Sequence, residues 1–349
     1  MTLRLEMLPA REGDCILLSY EDGSRKRHIL VDGGRAPTWK DLKKRMQGLP
    51  NGEREFELLV ISHIDRDHIE GIVTLLSDTT CPVKFKDIWF NGYGHLKAVD
   101  DEDFGAVQGE KLTELLLDGR PWNVSFGKKS LRLPKEGPAP PIKLEGGFEI
   151  TLLSPTVDRL VALRPVWEKE CKQAGIIPTN ELPPVLPDDE SFGVIDVDVL
   201  ADEAFDEDTA EANGSSIALL AEYQGRRVLL GADAYPSVML DGLNRLFPAN
   251  QRIRLDAFKV AHHGSRNNLS IDILNRIDCG RYIISTNGSY FKHPSRQAIA
   301  RILKYGGAEK SILFNYKTPY TEIWDETSLF DKHGYNVTFG DDGNAVLEL

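Results

Sequence analysis

The sequence predicts an α/β (α+β) fold, a four-layer αββα sandwich, and three observations predict it. Short apolar or alternating runs bounded by turn residues recur along the chain, stretches of helical periodicity stand between them, and the strand-like runs form two β-rich halves. With 349 residues, 41% of them hydrophobic and 28% charged, the chain can bury one large core or two modest ones.

The elements follow in order. "LRLEMLP", "CILLSY" and "RHILVDGG" read as three strands, "TWKDLKKRMQGL" as a helix, and "FELLVIS" as the next strand. "DHIEGIVTLLSD" is a helix, "VKFKDIWFNG" a strand, "DEDFGAVQGEKLTELLLDG" a helix closed by Gly119, and "FEITLLSP" a strand. Apolar spacing across residues 156–175 predicts a helix interrupted at Pro165. Farther on, "SSIALLAEYQGRRVLLGAD" predicts a hairpin turning at Gln224-Gly225, "LDAFKVAHHGS" and "RYIISTNGS" strands that run into loops, "SRQAIARILKYGG" a helix, and "KSILFNY" and "NAVLEL" the closing strands.

Composition removes several classes. No run reaches the roughly 18 apolar residues of a membrane helix. Arg4, Glu6, Arg11, Glu12 and Asp14 break the amino-terminal pattern, which excludes a signal or transit peptide and leaves a cytoplasmic protein as the expectation. Cys15, Cys81, Cys171 and Cys279 form no CxxC pair, so they read as reduced, mostly buried thiols. The net charge of −12 is local, because residues 181–212 hold twelve acids and no Lys or Arg, and the rest of the chain carries 42 acids against 42 bases. That segment reads as a solvated, proline-interrupted loop, or else as a polyanion mimic that covers a basic groove.

Residues 58–72, "LLVISHIDRDHIEGI", carry the chemistry. His63 and Asp65 stand two apart where a strand leaves its sheet, and Asp67 and His68 fall where the chain turns into a helix, so four ligand-type side chains converge within six residues. A surface strand end could collect such residues by chance. The full set, following an apolar strand, reads as a metal site.

"HIDRDH" resembles the HxHxDH signature of the metallo-β-lactamase superfamily, with Asp65 in place of the second histidine. The likeness continues in "ILVDGG", whose Asp32 would support the site from below, in "LLGAD", whose Asp233 would bridge two metals, and in "AHHGS". "NGSSIAL", "KVAHHGS" and "KHPS" are most similar to the hydrolase domain of the competence DNA-uptake protein ComEC and its soluble relatives. On this resemblance residues 1–349 form a single metallo-β-lactamase-like domain in which 95–145 and 176–212 are family-divergent insertions, the latter acidic and flexible. The resemblance implies one metal at Asp67, His68 and His263, with Asp233 bridging to another at His63 and Asp65. His263, followed directly by glycine, is the expected ligand of the doublet, and His262 either replaces it or supports it by an outer hydrogen bond. Asn213 to Ser216 stand where the family has a third histidine motif, and both end residues are read as supporting the site.

Carboxylates in place of imidazoles shift preference from zinc towards harder ions such as manganese. One or two divalent ions, zinc or manganese, are expected, the second at His63 and Asp65 and weaker. The resemblance implies hydrolysis by metal-bound hydroxide, with Asp67 and His293 in catalytic roles and His293 contacting a phosphate or protonating the leaving oxygen. Ser265, Asn287 and Ser289 read as turn or capping residues. Arg25, Lys26, Arg27, Lys40, Lys43, Lys44, Arg45, Arg252, Arg254 and Lys259 could form a phosphate-tracking surface or simply a solvated face. The favoured function is a phosphodiesterase or nuclease acting on nucleic acid (DNA or RNA) or nucleotides. The alternatives are a metal-stabilised interaction subunit that docks a protein partner through the acidic insertion, and a carboxyl-ester, lactone or thioester hydrolase.

Overall fold

The computed structural model describes residues 2–23, 25–96, 107–173 and 195–349. The first seven strands are β1 (Leu3–Met7), β2 (Ile16–Asp22), β3 (Arg25–Val31), β4 (Glu55–Phe56), β5 (Leu58–Val60), β6 (Lys84–Phe85) and β7 (Ile88–Trp89). They are followed by β8 (Ile142–Lys143), β9 (Glu149–Leu152), β10 (Leu219–Tyr223), β11 (Arg226–Leu230), β12 (Ile253–Leu255), β13 (Ala257–Lys259), β14 (Ile277–Cys279), β15 (Arg281–Ile284), β16 (Lys310–Phe314), β17 (Tyr335–Phe339) and β18 (Ala345–Glu348). The main helices are α1 (Trp39–Gln47), α2 (Arg66–Ser77), α3 (Val107–Leu117), α4 (Val157–Gln173), α5 (Val197–Asp202), α6 (Glu211–Gly214), α7 (Pro236–Leu246), α8 (Ile271–Arg276) and α9 (Arg296–Tyr305). Two short ones, α10 (Pro319–Glu322) and α11 (Thr327–His333), follow near the end.

Two sheets carry the structure. One has the order β18-β1-β2-β3-β5-β7 and the other β17-β16-β15-β13-β11-β10-β9-β8, while β4–β6 and β12–β14 form small side pairs. Each sheet begins antiparallel and turns parallel, at β3–β5 in the first and at β11–β13 in the second. Three separate apolar cores define four layers. Leu5, Tyr20, Val60, Trp89, Phe148 and Val228 fill the space between the sheets. Leu42, Ile69, Ile72, Leu112 and Trp167 join the first sheet to α1–α4. Val197, Met239, Ile273, Ile299 and Trp324 join the second sheet to the later helices. This is the αββα sandwich that the alternation of elements predicts.

Local chemistry explains most boundaries. Gln224 and Gly225 both take positive φ, 48° and 81°, as the two-residue turn between β10 and β11 requires. "VKFKDIWFNG" is divided into β6 and β7 at Asp87, whose buried carboxylate accepts from the backbone of Ile88, Val124 and Ser125 and from the Trp89 indole. The helix expected to break at Pro165 runs through it. Pro165 removes the in-helix partner of the Val161 carbonyl, but Val161 is exposed and water can take that bond. Strand β17 and the helices α7, α8, α10 and α11 are absent from the sequence prediction: α8, α10 and α11 are too short, at 6, 4 and 7 residues, to show a helical period, whereas α7 opens at Pro236 and has its apolar residues at helical spacing.

The acidic insertion differs from its expectation wherever it is described. Residues 181–194 lie outside the described residues, but 195–212 pack against the C-terminal layer through Val197 and Ala201. Asp202 pairs with Lys304 and Tyr305, Glu203 accepts from Gln297, and Glu207 accepts from the Ser237 amide at the start of α7. These acids are spent within the chain, which removes them from a flexible, polyanion-mimicking loop.

Helix α2 sits directly on the turn after β3. The Gly33 amide donates to the His68 carbonyl and the Gly71 amide to the Gly34 carbonyl, each at 2.9 Å. A Cβ at Gly71 would lie 1.9 Å from the Gly33 carbonyl oxygen, a backbone atom that cannot step aside. We therefore expect Gly71→Ala to lower stability by about 3 kcal/mol, the upper range for overpacking. An unchanged urea midpoint would show that α2 can move away without cost.

Candidate metal centre

The parallel strands β3, β5, β11, β13 and β15 lead at their carboxyl ends into the segments that carry Asp32, His63, Asp233, His262 with His263, and Ser285. Carboxyl ends of parallel strands are where open α/β sheets place ligands, because the chain there leaves the hydrogen-bonded ladder and frees its side chains. Asp65 is the N-cap residue of α2, yet its side chain makes no capping bond. Asp67 and His68 occupy the first turn of that helix. Four non-glycine residues here have left-handed backbone: Asp32 (φ 57°), Ala232 (44°), His262 (46°) and His263 (52°). Each costs on the order of 1 kcal/mol or more, and such residues gather where function demands a particular side-chain direction.

Each imidazole is oriented through Nδ1. His68 Nδ1 donates to Asp32 Oδ2 at 2.9 Å, and His263 Nδ1 donates to the Ser285 carbonyl at 2.8 Å. The Ser62 hydroxyl donates to Asp32 Oδ2 at 2.7 Å and so accepts from His63 Nδ1 at 2.9 Å. Asn268 Nδ2 donates to Asp208 Oδ2 and to the Asp233 carbonyl, and Asn268 Oδ1 accepts from His262 Nδ1 at 2.8 Å. In all four rings the Nδ1 proton is engaged, and the neutral ring then carries its lone pair on Nε2.

The four Nε2 atoms face one carboxylate oxygen. Asp233 Oδ2 lies 3.4 Å from His68, 3.7 Å from His63, 3.7 Å from His263 and 3.8 Å from His262. Asp67 Oδ2 is 3.4 Å from His263 Nε2 and 3.8 Å from His68 Nε2, while Asp65 Oδ2 is 3.5 Å from His63 Nε2. Two ligand atoms held about 2.1 Å from one tetrahedral ion are about 3.4 Å apart, so these spacings suit coordination. Buried His63 Nε2 and Asp233 Oδ1 have no hydrogen-bond partner, a costly condition that a cation would relieve. The residues therefore fit divalent metal.

Electrostatics agree with this fit. Burial opposes ionisation of Asp233 and Asp67, yet His68, His262 and His263 hold the Asp233 carboxyl well below its usual range, and His68 with His263 does the same for Asp67. Against its own burial, His262 is pushed up to about 9 by Asp233 and Asp208. Carboxylates held as anions make a region of high negative charge density, and a divalent ion bound there would displace the protons that His68 and His262 otherwise take up.

All six residues expected as ligands come together here, with Asp32 beneath them. Asn213 is tied in through Asp208 Oδ2 at 2.7 Å, and the Ser216 hydroxyl is buried without a hydrogen-bond partner. His293 stands at the rim with its ring centroid 5.3 Å from that of His262, and burial together with the neighbouring His262 and His263 holds it well below the usual imidazole value. Ser265, Asn287 and Ser289 make turn hydrogen bonds, as expected: the Ser265 hydroxyl accepts from the Asn267 amide, and Asn287 Oδ1 accepts from Ser289.

Three of the basic residues assigned to a phosphate-tracking surface are elsewhere. Lys259 is fully buried, Arg27 is locked between Asp22, Glu57 and Glu145, and Arg252 donates to the carbonyls of Leu274 and Ile277. Their side chains are consumed by long-range pairing that position in the sequence does not reveal. Sequence reading also missed Ser62, Asp208, Asn268 and the pair Asp14–Lys259. A lysine inside the apolar strand "AFKVA" was the available signal for that pair.

No protein-family model matches the chain, and no curated protein matches it. Solved structures that match include the metallo-beta-lactamase fold protein YhfI from Bacillus subtilis, with 12% identity and a TM-score of 0.44 over 99% of this chain and 100% of that one. A diphosphatase of the PhnP family matches with 10% identity and a TM-score of 0.40 over 100% of this chain and 98% of that one. CmlA, a diiron beta-hydroxylase from Streptomyces venezuelae, matches with 13% identity and a TM-score of 0.42; the match covers 99% of this chain but only 54% of that one. At these scores the reading of the site rests on its own residues. Among the described residues no helix is long and apolar enough to cross a membrane.

Lys259 Nζ lies 2.5 Å from Asp14 Oδ2, both side chains are buried, and Asp14 Oδ1 is 3.6 Å from His263 Nδ1. This pair ties the β1–β2 loop to β13 directly under the site. Lys259→Met strands a buried carboxylate and is expected to cost about 3–5 kcal/mol, whereas adding Asp14→Asn should recover much of that loss. A double-mutant cycle by urea denaturation measures the coupling, and strictly additive losses would refute it.

Proposed function

We propose that this chain is a metal-dependent hydrolase of the metallo-β-lactamase type, and that its substrates are phosphodiesters of nucleic acid or nucleotides. One observation carries the metal dependence: a single buried carboxylate oxygen of Asp233 faced by the Nε2 atoms of four histidines whose Nδ1 atoms are all engaged elsewhere. Asp67, His68 and His263 would hold one ion and His63 and Asp65 another, with Asp233 shared. Divalent ions in those positions supply Lewis acidity, which lowers the pKa of water and neutralises charge developing at the reacting centre.

The protein's own groups do the remainder. Asp32 and Ser62 keep His63 and His68 in one tautomer and one orientation, so the ligand geometry exists before substrate arrives. His293, beside His262 at the rim, is placed to donate a hydrogen bond to a phosphoryl or leaving oxygen. Phe291 is 47% exposed, and its ring stacks on His293 with centroids 5.9 Å apart and planes at 25°. An exposed aromatic ring whose centroid is 6.4 Å from that of His262, at the edge of the site, suits a nucleobase, since every base has a π-face to stack. The ComEC-like motifs and the exposed Phe291 ring favour phosphodiesters over carboxyl esters, lactones or thioesters.

Purified protein loaded with manganese or zinc should hydrolyse bis(p-nitrophenyl) phosphate and short DNA or RNA oligonucleotides, and chelation should abolish both activities. Asp233→Ala should reduce the rate by about a hundredfold or more, since removing even an outer partner of a metal ligand costs 10–100-fold. Metal-loaded protein that cleaves a lactone or thioester and leaves every phosphodiester intact would replace this substrate class with the carboxyl one.

Phe291→Ala separates binding from chemistry. Loss of base stacking, about 1–3 kcal/mol, should raise KM for a nucleotide substrate roughly 5- to 150-fold with kcat little changed. An unaltered KM would remove Phe291 from substrate recognition.

A further inference from the structure

This inference rests on the binuclear reading above. We propose that His262 is a metal ligand in its own right, supplying to the position of His63 and Asp65 the imidazole that the Asn213–Ser216 stretch lacks, and that Asp208 of the acidic segment positions it.

The backbone makes the doublet act on one side. In an extended strand, consecutive side chains point to opposite faces, so only one histidine of the pair could reach the site. Here His262 (φ 46°, ψ 53°) and His263 (φ 52°, ψ 23°) both lie in the left-handed region, and both rings turn towards Asp233. The His262 amide donates to the Ala232 carbonyl at 2.8 Å, which pins this turn to the segment that carries Asp233.

The ring's hydrogen bonds leave one nitrogen for an ion. Nδ1 donates to Asn268 Oδ1 at 2.8 Å and lies 3.3 Å from Asp208 Oδ2. Nε2 faces Asp233 Oδ2 at 3.8 Å, too long for a hydrogen bond but close to the 3.7 Å at which His63 Nε2 faces the same oxygen. His68 and His263 face the same oxygen, but with Asp67 they already form a compact ligand set, which leaves His262 to the position of His63, whose Nε2 lies 3.5 Å from Asp65 Oδ2.

Asp208 is held as firmly as the ligands. Its Oδ2 accepts from Asn213 Nδ2 at 2.7 Å and Asn268 Nδ2 at 3.0 Å, its Oδ1 accepts from the Ala210 amide at 2.9 Å, and its own amide donates to the Asn267 carbonyl at 3.1 Å. A carboxylate beside the Nδ1 of a histidine whose Nε2 is free is the usual outer support of a metal-bound imidazole. Asn213 then serves as the clamp that holds this carboxylate. It occupies the place of the family's third histidine and secures that histidine's substitute.

The test reads metal content and spectrum, using the full chain. Metal-free protein is dialysed against manganese, ions per chain are counted by elemental analysis, and the pair is detected by the exchange-coupled electron paramagnetic resonance of two nearby manganese ions. His262→Ala should hold one ion fewer than the unsubstituted chain and lose the coupled signal, while its metal-free circular dichroism stays unchanged. Asp208→Asn, which keeps the shape of the clamp, should retain both positions with the second weakened about 10–100-fold. Equal ion counts and equal affinities in both variants would overturn the assignment of His262 and leave the binuclear reading standing. An unsubstituted chain that binds no ion would overturn both.

Discussion

One carboxylate at the seam between two sheets sets the terms for the rest of this structure. Asp233 is buried, and its Oδ2 atom is approached by four imidazole nitrogens that arrive from both halves of the chain. A buried carboxylate with one oxygen unpartnered is expensive, and four imidazoles crowded on the other add to the cost unless protons or cations lie between them. The surrounding structure is over-determined enough to hold them there. Backbone in the left-handed region at Asp32, Ala232, His262 and His263 is one sign of this, and the salt bridge between Asp14 and Lys259 directly beneath is another.

The sandwich makes this convergence possible because its two halves use the same device. In each sheet an antiparallel meander passes into parallel strands, and the carboxyl ends of those strands release short segments rather than long loops. The first sheet delivers Asp32, Ser62 and His63 and opens α2 with Asp65, Asp67 and His68. The second delivers Asp233, the histidine doublet and Ser285. Close backbone contact joins the two sets: a Cβ at Gly13 would lie 1.7 Å from the Asp67 carbonyl oxygen, the Ser285 hydroxyl donates to the Gly13 carbonyl at 2.8 Å, and the Ile217 amide donates to the Ser62 carbonyl at 2.9 Å. The acidic segment is part of the same economy of charge. Asp202, Glu203 and Glu207 are tied to lysine, tyrosine, glutamine and helix-end amide partners, and Asp208 reaches the edge of the site.

How much of the site was legible depended on how far apart in sequence its parts lie. His63, Asp65, Asp67 and His68 fall within one strand end and one helical turn, so local geometry alone brings them together, and their convergence could be read from residues 58–72. Asp32, Asp233 and His263 were reached only through resemblance, because nothing in their own neighbourhoods marks an aspartate after an apolar strand as buried. The doublet could not be resolved from sequence at all. Which way each ring points depends on two backbone torsions, and these follow from the packing of the 260s against residues 231–234. Lys259 misled for a related reason: a lysine in a short strand is usually at an edge, and only the strand order places this one between β11 and β15.

By itself, the sequence determined the alternation of elements, the αββα layering, the turn at Gln224-Gly225 and the four-residue ligand cluster that begins at His63. These depend on periodicity and on contacts between near neighbours, which travel with the residues themselves. The tertiary structure alone decided the partners of the distant groups: Asp208 with His262, Asp14 with Lys259, Ser285 with His263, and the shared position of Asp233. Each of these pairs joins segments whose separation is set by sheet order and by the stacking of two sheets, and no local pattern of residues encodes that distance.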